Sequence, residues 1–190
     1  MEKNKGKYIY TANLMNQALV SLLEKKNIEF ITVTEITKKA GVNRSTFYLH
    51  YDNIYELLEE TIENLNKQFK SSFDNRAPLE IKSKEEAFLI TDELLISYLN
   101  FVKENKRILK LINQKPQLFQ VQRTYKKMYD KIFYPAISLF VNDESEKIYN
   151  LEFFTSGVAA IVHKWLALDC ATETHDLVKI IKNCIGYESN

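Results

Sequence analysis

The sequence predicts an all-α protein of about nine helices, and three observations support that fold class. The 190 residues include only 4 glycines and 3 prolines, too few for the many turns of a β-sandwich. Apolar residues recur at spacings of three and four through most of the chain, as they do on the buried face of a helix. The single β-branched run, FITVT at residues 30–34, is too short to build a sheet.

Three helices are predicted in the first part of the chain. The first spans residues 9–26, where apolar side chains fall on one face. Those side chains are Ala12, Met15, Leu19 and Leu22. Thr32 or Thr34 is placed to cap a short second helix, and Gly41 is placed to end it with a left-handed turn. Asn43 is placed to cap the third helix.

Further helices are predicted after residue 52, and we divide the chain there into domains of residues 1–52 and 53–190. Their starts are marked by capping residues or by a proline suited to the first turn. The predicted starts are Asn53, Ser83 with Glu86 in a capping box, residue 107, Pro116, Asp143 and Thr174. Pro135 is expected to end or kink the helix that Pro116 begins.

The distribution of charge separates the two parts of the chain. Residues 1–51 hold 8 Lys and Arg against 4 Asp and Glu, a net charge of +4. The remaining residues hold 18 against 21, a net charge of −3, so the overall charge is only +1. A positive excess confined to one end indicates a polyanionic partner for that end.

Several classes of protein are disfavoured by what the sequence lacks. No apolar run is long enough to cross a bilayer and no secretory signal is present, so we expect a cytoplasmic protein without a membrane partner. Cys170 and Cys184 are expected to be half-buried thiols rather than a disulfide. The histidines and cysteines lack metal-ligand spacing, and no glycine-rich phosphate loop is present. We therefore expect no metal, no cofactor and no enzymatic activity, with a helical-bundle enzyme as the remote alternative.

Residues 41–51, GVNRSTFYLHY, combine a glycine turn with a dense group of polar side chains. A helix, a glycine turn and a second helix make up a helix-turn-helix. With Phe47 facing the core, a step of about 100° per residue places Ser45 and Leu49 on the opposite face. A short helix that is polar over most of its surface suits the major groove of DNA. The alternative, an ordinary helical hairpin, explains the inward residues but not the polar ones.

The stretch ITVTEITKKAGVNRSTFYLHYDNIYELL, residues 31–58, resembles the DNA-binding motif of TetR-type transcriptional regulators. The positions that carry the resemblance are Thr32, Val33, Ile36, Ala40, Gly41, Val42, Asn43, Thr46, Phe47, Tyr48, His50 and Tyr51. Two positions depart from the family's pattern: Thr37 stands where alanine is frequent, and Ile54 stands where lysine is usual. Residues 153–182 resemble a TetR-type C-terminal region, with Gly157 and Trp165 as landmarks.

The resemblance implies a homodimer that binds a near-palindromic operator in double-stranded DNA, as a repressor relieved by a ligand. The implied DNA contacts are Thr32, Thr34, Asn43, Arg44, Ser45, Thr46, Tyr48, Leu49, His50 and Tyr51. Arg44 would read guanine, whereas Tyr48 and His50 would donate to phosphate oxygens. Thr32 and the start of the second helix would hold another phosphate. Leu49 would face either a thymine methyl group or solvent.

The resemblance assigns residues 53–190 to dimerisation and to an unknown small-molecule effector. The predicted dimer-interface residues are Leu151, Thr155, Val158, Val162, Trp165, Leu177, Ile180, Ile181 and Cys184. The alternative is that this apolar stripe packs within its own subunit. The predicted pocket-lining residues are Tyr98, Phe101, Phe119, Tyr125, Tyr129, Phe133 and Phe154, and the alternative is that these rings belong to the core. Control by a protein partner, and action as an activator, are the remaining alternatives.

Overall fold

The structure is a computed structural model that describes residues 2–74, 84–119 and 143–184. These residues form α-helices and one 3-10 turn, and no strand lies among them. The helices are α1 (Glu2–Leu23), α2 (Val33–Ala40), α3 (Arg44–Tyr48), α4 (Ile54–Asp74), α5 (Lys84–Glu104), α6 (Lys106–Gln114), α7 (Pro116–Phe119), α8 (Glu144–Ala167) and α9 (Thr174–Cys184). The 3-10 turn, Ile28–Phe30, lies between α1 and α2. The predicted all-α fold is confirmed.

The chain divides into two compact units, Met1–Lys67 and Gln68–Asn190. This division lies inside α4, whereas the sequence placed the domain boundary before that helix. The buried residues Leu57, Leu58 and Leu65 of α4 belong to the first unit. The assignment of separate functions to residues 1–52 and 53–190 stays a prediction.

The first unit is built on an apolar core shared by its helices. Met15 and Leu19 of α1, Ile36 of α2 and Phe47 of α3 are fully buried in it. Thr37 is also buried, and its hydroxyl donates to the carbonyl of Thr34 at 3.2 Å. This hydrogen bond within α2 satisfies the hydroxyl, so threonine fits where the family often has alanine.

Gly41 forms the turn between α2 and α3. Its backbone has φ 68° and ψ 31°, in the left-handed region that glycine adopts without a steric penalty. The Gly41 N–H donates to the carbonyl of Thr37, and the Val42 N–H donates to the same oxygen at 3.0 Å. The predicted glycine turn is confirmed, and it directs the chain into α3 at once.

The second unit packs α9 against α5 and α6 against α8. Phe69 of α4 lies edge-on to Phe101 of α5, with ring centroids 5.0 Å apart. Ionic contacts supplement the apolar core. Lys182 of α9 lies 2.8 Å from Asp92 of α5. Asp169, which follows α8, accepts from two lysines of α6, Lys106 at 2.8 Å and Lys110 at 2.7 Å.

The predicted helix caps had mixed outcomes. The Asp143 carboxylate accepts from the Ser145 N–H at 2.8 Å and so caps α8 as predicted. Thr174 is not a cap, because it is the first residue of α9 and its hydroxyl contacts Asn100 Oδ1 at 3.3 Å. The predicted capping box at Ser83 and the predicted helix end at Pro135 lie outside the described residues.

Candidate nucleic-acid interface

The start of α2 is closed by a reciprocal capping box. The Glu35 N–H donates to Thr32 Oγ1 at 3.3 Å, and the Thr32 N–H donates to Glu35 Oε2 at 3.0 Å. Lys26, after the end of α1, donates to the other carboxylate oxygen at 2.6 Å and to the Phe30 carbonyl at 2.7 Å. The hydrogen bonds from Lys26 and Thr32 lower the pKa of Glu35 to about 2. This arrangement joins α1, the 3-10 turn and α2.

The capping box changes the predicted role of Thr32. Its N–H and its hydroxyl both donate to the Glu35 carboxylate, so they are already engaged within the protein. The N–H groups of Val33 and Thr34 have no carbonyl four residues earlier within the helix and point out of its start. These two backbone groups are therefore better placed than Thr32 to hold a phosphate. The threonine-x-x-glutamate pattern of residues 32–35 is a sequence signal for this box, and the sequence prediction missed it.

The outer face of α3 presents polar side chains. Arg44, Ser45 and Tyr48 are exposed, and Thr46 is half-buried. Arg44 Nη2 donates to the Tyr48 hydroxyl at 3.3 Å, and its Cζ lies 5.6 Å from the centre of the Tyr48 ring. These two side chains, one turn apart, therefore form a pair rather than two independent groups.

Leu49 and Asn43 flank α3. Leu49 is 78% exposed, so of the two predicted environments the single chain shows the solvent-exposed one. Asn43 occupies the position before α3, with an extended backbone, but its side chain makes no capping hydrogen bond. Its exposed amide is thus left available for a ligand, and the predicted capping role is not seen.

His50 and Tyr51 differ in accessibility. Tyr51 is only 4% exposed, and burial, assisted by the Glu60 carboxylate, raises the pKa of its phenol. A side chain in that position packs beneath α3 against Phe47, with ring centroids 5.6 Å apart, and does not face DNA. The predicted contact through Tyr51 is corrected on this ground. His50 is half-buried, and burial lowers its pKa.

The start of α4 is acidic and lacks the family's usual lysine. Asn53 Oδ1 accepts from the N–H groups of Tyr55 and Glu56, at 2.9 and 3.2 Å. The Glu56 carboxylate accepts from the Asp52 N–H at 2.7 Å. Ile54 is half-buried. The helix start thus offers a carboxylate and an apolar side chain where a phosphate would need a donor.

Comparison with known families identifies this arrangement. Residues 17–61 match the family described as bacterial regulatory proteins, tetR family. Residues 91–187, more than half of the chain, match the family described as transcriptional regulator C-terminal region. The chain belongs to the TetR family of transcriptional regulators. The resemblance of the helix-turn-helix motif to TetR-type regulators is thereby confirmed.

Individual relatives of this TetR-family protein are distant. The uncharacterized HTH-type transcriptional regulator YxbF of Bacillus subtilis (strain 168) is 30% identical over 96 residues, which are 48% of this chain and 23% of YxbF. The chain therefore spans less than a quarter of that relative's length. A TetR-like regulator from Rhodococcus sp. RHA1 superimposes with a TM-score of 0.68 at 13% identity, covering 93% of both chains.

Two further solved structures share the fold. The fatty acid degradation regulator FadR from Bacillus halodurans has a TM-score of 0.66 and 16% identity, covering 94% of this chain and 99% of FadR. The dihydroxyacetone kinase operon activator DhaS has a TM-score of 0.54 and 17% identity, covering 93% of this chain and 94% of DhaS. At such low identity these structures establish the fold of this TetR-family chain and nothing about its ligand.

The predicted dimer-interface residues lie mostly inside the single chain. Six of the nine are buried: Thr155, Val158, Val162, Trp165, Leu177 and Ile181. Trp165 is fixed further, since its Nε1 donates to the Thr172 carbonyl at 2.9 Å. Leu151 is half-buried, whereas Ile180 and Cys184 are exposed. For the six buried residues the prediction is corrected, because they lie on the inner face of the helices, which packs within its own subunit. For Leu151, Ile180 and Cys184 the interface stays a prediction.

A second set of residues on α8 faces outward. Tyr149, Phe153, Gly157 and Ala160 are exposed and follow one another at helical spacing, and we call them the outer stripe of α8. Phe153 is 70% exposed, which is unusual for a phenylalanine. The sequence signal for the outer stripe was the pair of aromatic residues one turn apart, outside the stripe that ends at Trp165.

The predicted pocket residues are only partly described. Phe101 and Phe154 are buried, and Phe101 packs against Phe69, so these rings belong to the core of the second unit. Tyr98 is half-buried, with its ring 6.1 Å from that of Phe69. Tyr125, Tyr129 and Phe133 lie outside the described residues, as does the side chain of Phe119.

Three other features concern binding and chemistry. No described helix is long and apolar enough to cross a membrane. Within residues 2–74, 84–119 and 143–184, no group of three or more His, Cys, Asp and Glu side chains is arranged to hold a metal ion. Both cysteines are free thiols, Cys170 buried and Cys184 exposed, rather than both half-buried as expected. Burial raises the pKa of Cys170.

Proposed function

We propose that this TetR-family DNA-binding regulator acts as a homodimeric repressor of a near-palindromic operator, and that an effector bound in its second unit releases it. The observation that carries the proposal is the outer face of α3, where Arg44, Ser45 and Leu49 are exposed around a buried Phe47 anchor. Two copies of α3 would enter successive major grooves, with half-sites roughly 34–36 Å apart or a multiple of that distance. A DNA-binding role also supports the cytoplasmic location expected from the sequence.

Within each half-site, Arg44 is proposed to read sequence and the other groups to fix position. The guanidinium matches the two acceptors of guanine in the major groove. The N–H groups of Val33 and Thr34, together with His50, would contact phosphate oxygens, which carry no sequence information. Tyr48 would act through its hydrogen bond with Arg44 as well as on phosphate.

The outer stripe of α8 supports the proposed homodimer. A monomer rarely exposes two aromatic rings one turn apart without a partner, and Gly157 and Ala160 would let a second helix approach closely. A twofold axis would bring the same stripe of the partner against it, as symmetric dimers require. Ile180 and Cys184 of α9, one turn apart and exposed, are proposed to extend the interface.

The effector and the sign of regulation are separate parts of the proposal. Among the described residues that were predicted to line a pocket, Tyr98 combines partial exposure with a polar group, and we propose it as a pocket residue. An effector would favour a different spacing of the two α3 helices and so weaken operator binding. The solved structure of DhaS is described as that of an operon activator. Repression therefore does not follow from the fold and needs its own test.

Three measurements test this function. A gel shift with the DNA that flanks the protein's own gene should show a complex that weakens as salt is raised, because released counterions drive binding. Sedimentation should show a dimer at micromolar concentration. A folded protein that binds neither this DNA nor a random-sequence duplex pool at low salt would refute the function. A reporter gene placed behind the bound DNA should be expressed more strongly when the regulator's gene is deleted, and weaker expression would assign an activator.

A further inference from the structure

The first turns of α1 are in contact with the end of the recognition motif. The ring of Tyr8 stacks on the ring of His50, with centroids 3.8 Å apart and planes 17° from parallel. Tyr8 precedes residue 17, where the match to the TetR family's DNA-binding region begins. The contact is therefore made by a residue that lies outside the matched region.

The surroundings of His50 leave the ring one way to bind an external group. Nδ1 is enclosed and has no hydrogen-bond partner in the structure. The ring of Tyr51 also lies close, tilted by 36° from the His50 ring, with centroids 5.7 Å apart. Burial lowers the pKa of His50 and the Glu60 carboxylate opposes that effect, so the imidazole is held towards its neutral form. With Nδ1 enclosed, Nε2 is the nitrogen that can reach a phosphate.

We propose that Tyr8 is a positioning residue for DNA binding, whose stacked ring fixes the orientation of His50 so that Nε2 meets the DNA backbone. The inference rests on the proposed function, because Tyr8 would support a side chain that is proposed to contact DNA. The physical reason is that the second side-chain torsion of histidine is broad and roughly twofold. His50 follows α3, which ends at Tyr48, so α3 itself does not restrain the ring. The nearly parallel Tyr8 ring restricts this torsion of His50 in the free protein, before DNA is bound.

The chain supplies a matched control two residues away. Tyr10 lies on the same helix and is 65% exposed, against 48% for Tyr8. It points to a different side of α1, since two residues correspond to a rotation of about 200°. Tyr10 makes no ring contact with any described residue. Substituting Tyr10 removes an exposed tyrosine from the same helical turn without touching His50.

The test measures DNA affinity by fluorescence anisotropy with two probes, a duplex from the region that flanks the protein's own gene and a random-sequence duplex pool. Tyr8→Ala should weaken binding to both probes by the same factor, roughly two- to tenfold, the range that aromatic pair energies correspond to. Tyr8→Phe keeps the stack and should bind as the unaltered protein does, as should Tyr10→Ala. Tyr8→Leu keeps apolar bulk for folding but no stacking ring, and should bind as weakly as Tyr8→Ala.

A second arm separates positioning from a general loss of stability. In a His50→Ala background, Tyr8→Ala should have no further effect, because its role acts through that ring. The ring protons of His50 should shift in the NMR spectrum of Tyr8→Leu and not in that of Tyr8→Phe. Additive losses from Tyr8→Ala and His50→Ala, or full affinity of both Tyr8→Ala and Tyr8→Leu, would overturn the inference. Absence of DNA binding by the unaltered protein would instead refute the proposed function.

Discussion

The outer faces of α3 and α8 present opposite chemistry to solvent. On α3 the exposed groups are polar, Arg44 and Tyr48 among them, and one phenylalanine anchors the helix. On α8 the exposed groups are the aromatic and small residues of the outer stripe, while a second apolar stripe is buried on the inner side. The first face thus suits a charged polymer, as we propose for DNA, and the second suits another apolar surface, as we propose for the dimer.

The number of apolar faces on each helix explains why the orientation of α3 was easier to predict from the sequence than that of α8. A helix with a single apolar residue can be oriented from sequence, because the anchor must point inward. A helix with apolar residues on two sides has no such constraint. The stripe through Val158, Val162 and Trp165 was assigned to the dimer, and it proved to be the subunit's own core. Periodicity identifies a buried face but does not say which chain buries it.

The largest expected effect comes from charging the outer stripe of α8. Phe153→Glu in both subunits should dissociate the proposed dimer, because an unpaired charge buried in an interface costs about 3 kcal/mol. The affinity for the operator should fall as well, since two linked α3 helices bind DNA far more tightly than one. Sedimentation and anisotropy measured on the same samples check this prediction.

Ile148→Glu provides the control for that substitution. Ile148 is 66% exposed on the same helix but lies roughly 140° around it from Phe153. Ile148→Glu should therefore leave the dimer intact. If Ile148→Glu dissociates the protein and Phe153→Glu does not, the interface lies on the other flank of α8 and the outer stripe is not the contact.

The second prediction concerns the pair on α3. Arg44→Ala should cost about 1–3 kcal/mol and relax the preference at one base position in each half-site. Because Arg44 donates to the Tyr48 hydroxyl, Tyr48→Phe should relax the preference at that same position, in addition to weakening binding to every sequence. Binding-site selection with the two single variants and the double variant should give a coupling of at least about 0.5 kcal/mol. Strict additivity, with an unchanged base preference in Tyr48→Phe, would make Tyr48 a phosphate contact only.

Packing between helices sets the limit of what the sequence could predict at the candidate site. The turn at Gly41, the anchor at Phe47 and the exposure of Leu49 follow from helical geometry and were predicted. The stack of Tyr8 on His50 was not, because the two residues are far apart in sequence and the contact depends on how α1 crosses the motif. Tyr51 belongs to a histidine-aromatic pair that the family resemblance assigned to DNA, but its burial is decided by packing.

The third prediction tests the link between α1 and α2. Lys26→Met should leave the Glu35 carboxylate without its ammonium partner, raise the pKa of Glu35 and weaken binding to all sequences alike, since the negative charge lies beside the proposed phosphate contact. A titration by NMR and anisotropy with both probes check this. A loss of affinity confined to one base position would instead make Lys26 part of sequence reading.

The same carboxylate gives a pH dependence with a defined sign. Its pKa is lowered from 4.5 to about 2 in the folded protein, so its ionised form stabilises the fold above about pH 4.5. That contribution is lost as the pH falls from 4.5 towards 2. The difference in melting temperature between the unaltered protein and Glu35→Gln should therefore be present at neutral pH and shrink over this interval. A difference that is constant from pH 7 to about 2 would show that ionisation of Glu35 does not matter.

The smallest expected effect is at Ile54, where the family's usual lysine is missing. A lysine there would lie at the start of α4 and neutralise one phosphate, which steepens the log–log salt dependence of affinity by about 0.9 per subunit and about 1.8 per dimer. Ile54→Lys should therefore tighten binding at low salt and leave sequence preference unchanged.

The opposite outcome is expected if Ile54 is needed for packing. Ile54 is half-buried, so replacing its apolar side chain removes packing contacts. If packing dominates, the variant binds more weakly with an unchanged slope. The two outcomes have opposite signs, and affinities at several salt concentrations decide between them. A steeper slope would show that the start of α4 lies against the DNA backbone, as proposed for the polar face of α3. An unchanged slope would show that Ile54 belongs to the core.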